Sequence, residues 1–513
     1  MELSCLWVSA RAAAFQLDDG GLYELTAPCA LWLNGLRVDV TSHVVTPLYD
    51  LAPQTDYLLE AERAGERIAR LRFRTKKESA TLNVLDFGAV GDGEHDDTPA
   101  IQAAIACCPP EGRVLVPAGR YAVTPLFLKS GLRLEIQRDA ALLLATDRRR
   151  FPMLPGLAGD RVLGAWEGVS AATYASLLTG VDARDVEVYG PGTLDGQAQL
   201  SDWWVDPKTP RGAWRGRMLY LCRCENVTVQ GLTVQNSPAW NVHPYYSRDL
   251  RFLGLTILAP QSSPNTDGLN PECCQDVLVA GVRFSVGDDC VAVKAGKRAL
   301  ARRFPAACER VTLSHCLMED GHGGVTIGSE MSGGVRQVTV RDCLMRHTDR
   351  GLRIKTRRGR GGVVDDICLE RVRMERVGAP ITVNDFYFCD ADGHSEAVQS
   401  RAPAPVDDDT PTLGALAFRR VEAVDCGACA GYFLGLPESP VGEVRMEDVL
   451  FSFADAPEAL LPVMADGVAA CAGRGIIARN VRRLTLRNVR ILGQRGEPLD
   501  CEGVSALEEV AQP

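Results

Sequence analysis

The middle of this 513-residue chain carries four clusters of polar and ionisable residues. In order they are Asn265-Thr266-Asp267, Asp288-Asp289, His322 between Gly321 and Gly323, and Arg353-Ile354-Lys355. From Asp267 to Asp288, His322 and Arg353 the steps are 21, 34 and 31 residues. Three carboxyls, an imidazole and two permanent cations are the parts of an acid/base site with an anion receptor beside it. Carboxyls held a few ångströms apart drive their pKa values apart, so one keeps its proton while another stays ionised. Glycosidic bond cleavage needs such a pair, with the separation deciding between inversion and a covalent intermediate. Arg353 and Lys355 are two residues apart and project from one face of a strand. There an Arg fork beside an ammonium suits a uronic-acid carboxylate. Asp288 and Asp289 are adjacent, so both reach one groove only if the chain bends, and Gly287 allows that. The bland alternative is that each Asp is a corner residue bonding its own backbone. Lys294 and Lys297 read as solvated cations, Lys294 also as a substrate contact.

A repeat of matching length runs through the same region and would position these groups. From about residue 180 a polar–Val–x–Val unit recurs, with its first apolar residue at 227, 250, 277, 311, 338 and 367. Each unit holds two or three short, β-branched strands bounded by Gly, Asn or Asp. Such a unit cannot bury its own inner face and must stack on its neighbours. The fold expected is all-β: a right-handed parallel β-helix over residues 82–495, with equivalent residues of neighbouring coils roughly 4.8 Å apart. Asp267 and the Asp288-Asp289 pair then lie one coil apart, within roughly 4–8 Å. Thr98-Pro99 with Ile101, Ala104 and Ile105 predicts a helix near 98–107 that caps the solenoid, with Asp97 or Thr98 as its N-cap. Residues 1–78 read as a small β-sandwich whose last strands and Tyr57 resemble a fibronectin type III domain. Segment 401–412 reads as an inserted loop and 496–513 as a C-terminal tail. Trp203, Trp204, Trp214 and Trp240 suit either sugar stacking or the wedging of loops against the coil.

The totals narrow the function. A net charge of −10 argues against a nucleic-acid surface, and no apolar run is long enough for a membrane helix. A polyanionic ligand would need a local basic patch, for which Arg353, Lys355, Arg357 and Arg358 are the candidates. The 18 cysteines suit buried free thiols better than a disulfide framework in so long a chain. Cys426-Gly427-Ala428-Cys429 lacks partners for zinc. Reduced thiols, with an acidic residue where a secretory leader carries Lys or Arg, give a cytoplasmic expectation, or a periplasmic or secreted one if a leader precedes Met1.

Taken in order, Asn265-Thr266-Asp267, Gly287-Asp288-Asp289, Gly321-His322-Gly323 and Arg353-Ile354-Lys355 resemble the four motifs of the polygalacturonases, glycoside hydrolase family 28. Asp195-Gly196 and Asn236-Ser237-Pro238-Ala239-Trp240-Asn241 resemble the family upstream. The resemblance implies hydrolysis of α-1,4-linked galacturonate in polygalacturonate or oligogalacturonides, with inversion and with no metal or other cofactor. It implies Asp288 as general acid, Asp267 and Asp289 as activators of water, and His322 as support for the acid. Arg353 and Lys355 would hold the sugar carboxylate, Asn265 would lie in the binding site, and Tyr387 would be a substrate-binding tyrosine. A sandwich before the β-helix resembles the bacterial exo-acting branch, with segments 197–217 and 386–412 walling off one end of the groove. The rivals are a rhamnogalacturonan or other uronide hydrolase, a pectate lyase, and a non-catalytic carbohydrate-binding β-helix.

Overall fold

The computed structural model describes residues 1–510. Strands Glu2–Val8, Ala13–Asp18 and Val45–Leu48 form one antiparallel sheet. Glu24–Leu33, Leu36–His43, Asp56–Arg63 and Glu66–Arg74 form a second. Phe15, Leu17, Cys29, Leu31, Leu59 and Phe73 fill the space between them. This unit seats on the flank of the solenoid where two glycines leave room. A Cβ on Gly231 would lie 1.8 Å from the Tyr49 hydroxyl, and one on Gly281 2.3 Å from Val45. Polar contacts complete the seat: Ser9 and Lys76 hold Glu187, and His315 Nδ1 meets the Leu22 carbonyl at 2.6 Å.

From Thr81 onward the chain winds as a parallel β-helix whose strands pair with the next coil rather than with their sequence neighbours. The recurrent apolar residue falls at one register position: Val186, Val227, Leu250, Val277, Val311, Val338, Ile367, Leu416, Val444 and Leu484 pair in succession. The residue before it explains the polar letter of the repeat. Asp185, Asn226, Asp249, Asp276, Arg310, Gln337 and Asp366 all have φ between 52° and 57°. Asp and Asn tolerate that left-handed conformation best, so the chain bulges there and the ladder resumes at the next residue. Inside, stacked Val, Leu, Ile, Phe and Cys side chains make one continuous core along the axis.

Helix Thr98–Cys107 covers the first coil and buries Ile101, Ala104 and Ile105. Asp97 is its N-cap residue by position only, because its carboxylate accepts from the Val90 and Gly91 amides instead. The expected tail is corrected: Leu499–Val510 is a strand paired in parallel with Arg474–Leu492, adding Val504 and Leu507 beside Val481 and Leu484. Its alternation is masked by Glu502, Glu508 and Glu509, all of them exposed. Residues 511–513 of that tail lie outside the described residues.

Candidate active site

One face of the solenoid carries Leu219–Cys222, Val242–Tyr245, Val291–Val293, Val325–Gly328, Arg350–Lys355 and Ala379–Asn384, with Leu269 bridging the second and third. Just before these strands, backbone bonds tie the rungs together. The amides of Asn241, Gly268, Cys290 and Gly324 donate to the carbonyls of Asp267, Asp289, Gly323 and Arg350 at 2.8, 3.0, 2.8 and 2.8 Å. Asp267, Asp289, Gly323 and Arg350 therefore hold one position on consecutive rungs. At Gly323 a Cβ would lie 2.4 Å from Thr326 Oγ1 and 2.9 Å from Asp289 Oδ1. The bare backbone leaves the opening across which Arg353 reaches Asp289 (3.3 Å), while Lys355 Nζ takes its other oxygen at 2.8 Å. The chain bends at Gly287-Asp288, as two adjacent acids in one groove require. Asp289 is left buried, and the Asp288 side chain is 21% exposed toward the cleft.

One carboxyl oxygen from each of Asp267, Asp288 and Asp289 lies within 4.8 Å of the others. Their surroundings differ. Burial disfavours a charge on Asp289, but the Lys355 ammonium and Arg353 guanidinium overcome it and hold that carboxyl well below the usual range. Burial, reinforced by the charge of Asp288, pushes Asp267 up to about 8, against Lys294 and the Asn270 amide 2.9 Å away. The trio thus keeps a proton at neutral pH. Positive charge that three acids would otherwise draw from a cation comes from Lys294, Arg353 and Lys355. The His322 ring is half exposed, with Nδ1 3.3 Å from Asp288 Oδ1, and that hydrogen bond raises its pKa.

The cleft encloses about 380 Å³ and is lined by Asn265, Asp267, Asp288, Asp289, Lys294, His322, Arg353, Lys355 and Tyr387, the residues given catalytic or substrate-binding roles from the sequence. Not all are free to bind. Asn265 has φ 54° and accepts from Arg215 at 2.6 Å, which fixes the turn before Asp267. Lys294 is not solvated: it is buried, pairs with Glu330 at 2.9 Å and lies 5.0 Å from the Trp240 ring centre. Tyr387 lies 5.8 Å from the Arg353 guanidinium and 5.5 Å from Lys355 Nζ. Arg357 and Arg358 leave the expected basic patch, since they are spent on Asp390 with Asp392 and on Glu438. Of the tryptophans, Trp203 is buried in the core and Trp214 stacks on Trp166, which stacks on Trp240. These rings wedge loops in place.

Of the walls, segments 197–217 and 386–412 supply Lys208 and Asp390 as expected; sequence reasoning missed Glu167, from the hairpin Ala165–Trp166/Val169–Ser170, and Met464, from a loop after Phe453. Arg350, whose guanidinium donates to the Leu461 and Pro462 carbonyls, also went unnoticed. Its one signal was a cation three residues before Arg353, at the position Asp267 and Asp289 hold on earlier rungs.

The family model described as "Glycosyl hydrolases family 28" matches residues 163–404, and a rhamnogalacturonase A/epimerase, pectate lyase-like model matches 81–134. An endo-polygalacturonase of Pectobacterium carotovorum is 32% identical over 56% of this chain and 72% of its own. The chain belongs to glycoside hydrolase family 28. Among other members of the family, a probable polygalacturonase of Vitis vinifera is 34% identical over 61% of this chain, which spans 65% of that protein. A family 28 exopolygalacturonase of Yersinia enterocolitica shares the fold over 100% of this chain and 99% of its own (TM-score 0.73, 18% identity). An exopolygalacturonase of Thermotoga maritima matches at TM-score 0.63 and 26% identity over 81% of this chain and 92% of its own.

Proposed function

We propose that this enzyme hydrolyses α-1,4-galacturonosidic bonds of polygalacturonate and its oligomers by inversion, working from a chain end. The observation that carries this reading is the buried Asp289 gripped by Lys355 and Arg353, beside a buried Asp267 raised to about 8 and an Asp288 open to the cleft. Asp288, the acid open to the cleft, donates a proton to the glycosidic oxygen, and His322 holds Asp288 in place. Asp289 and Asp267 orient the attacking water. Arg353, Lys355 and Tyr387 receive the sugar carboxylate, which joins Asp289 around the two cations.

Spacing gives a second reading a specific basis. Oxygens within 4.8 Å are closer than the roughly 6.5–9.5 Å that ordinarily leaves room for a water, and nearer to the span of retaining enzymes. Against retention, Asp289 is buried and pinned by two cations, so it is poorly placed to bond the anomeric carbon. Proton NMR of the first product anomer separates the two, with the inverted β-anomer expected. Chain-end action is supported by the walls built from Glu167, Lys208, Asp390 and Met464. Incubation with polygalacturonate should release mono- or digalacturonate from the start. A ladder of oligomers would point to internal cleavage, and ultraviolet-absorbing unsaturated products to a lyase.

A further inference from the structure

Behind the carboxyl trio lies a second buried ion pair that the proposed chemistry does not use. Lys294 Nζ and Glu330 Oε2 are 2.9 Å apart, with side chains 6% and 8% exposed. Lys294 faces Asp267 and Glu272 from the rung before, Asp289 on its own rung and Glu330 from the rung after. Its charge acts on Asp267 and Asp289 alike. Glu330 is fixed from several sides. The Ala295 amide donates to its carbonyl at 2.6 Å, and a Cβ on Gly168, at the hairpin tip, would meet its Cγ at 2.5 Å. Lys297 and Arg360 flank it and are themselves held by Asp390.

A cation so near two catalytic acids has two possible partners. If it turned to Asp267 it would strip the trio of its proton. We propose that Glu330 is a positioning residue: it holds the Lys294 ammonium away from Asp267 and so keeps a proton on Asp267 within the catalytic trio. Glu272, raised to about 7 by burial and then by Glu330, is paired with His243 at 3.0 Å and does not line the cleft. Arg353 and Lys355 grip Asp289, and His322 hydrogen-bonds Asp288.

The inference rests on the galacturonan hydrolysis proposed above, and the pH dependence of kcat/KM on polygalacturonate tests it. Glu330→Gln removes a negative charge and releases Lys294. Both effects favour ionised Asp267, so the alkaline limb should move down by about one pH unit. Lys294→Met should move it up, and Glu330→Asp should leave it in place. A Glu330→Gln limb that coincides with the wild-type one, or a Lys294→Met limb that moves down, overturns the proposal. If Glu330→Gln does not fold, as judged by circular dichroism, Lys294→Met decides alone. A wild-type protein inert on polygalacturonate would defeat the proposed activity instead. The shifts would then be read by carbon-13 NMR titration of labelled aspartates, with Asp267 assigned through Asp267→Asn.

Discussion

Asp267 and Asp289 occupy the same position on neighbouring rungs, held by the same kind of backbone bond. On the Asp289 side, a glycine on the next rung opens a passage through which two cations arrive. On the Asp267 side, the neighbours are the Asn270 amide, a second acid, and a lysine already engaged with Glu330. One carboxyl is fixed as an anion and the other keeps its proton. The backbone sets the spacing of the pair, and the side chains of the next two rungs set its chemistry.

Removing the carboxyl that faces the cleft should abolish the contrast. Asp288→Asn is expected to lower kcat by at least about 100-fold, the lower end of general acid/base contributions, with little change in melting temperature. Lys355→Met attacks the anionic side, leaving Asp289 buried with Arg353 alone. Urea unfolding should show a loss of about 3 kcal/mol, the lower range for breaking a buried pair, together with reduced turnover. The protonated side is read by pH. Asp267 lies above its ordinary value, so the reactive proton is present below about pH 8, and kcat/KM should fall about tenfold per unit above it. Asp289 lies far below its ordinary value and stays ionised through the acid range, so it adds no limb above about pH 4. The smallest effect is expected from Asn270→Ala. It removes a donor that favours the ionised form of Asp267, so the alkaline limb should move up by less than about one unit.

The rungs were legible because their period is physical. A Val that must face inward every coil, after a polar residue that accepts a left-handed φ, marks the register at 227, 250, 277, 311, 338 and 367 without reference to any structure. The four clusters inherit that register, which is why Asp267, Asp288, Asp289, His322, Arg353 and Lys355 converge. Charge state was not legible. That Asp267 is raised depends on burial and on the charge of Asp288, against Lys294, which Glu330 engages from 36 residues away. The other walls were illegible for another reason. Glu167 and Met464 sit on insertions that follow no period, and the hairpin bearing Glu167 docks on Lys297 through a single backbone bond of 2.8 Å. Arg357 and Arg358 show the converse error, since adjacency to Lys355 says nothing about which acids the fold brings against them.

The N-terminal sandwich sits on Gly231 and Gly281 with almost no clearance, and its Tyr49 hydroxyl accepts from Gln230 at 2.9 Å. A unit keyed into its support in this way is a fin rather than a tethered probe: it cannot swing out to capture a polymer and hand it to the cleft. Any strand of pectin it touched would be met at a constant offset from the catalytic carboxyls, as on a jig.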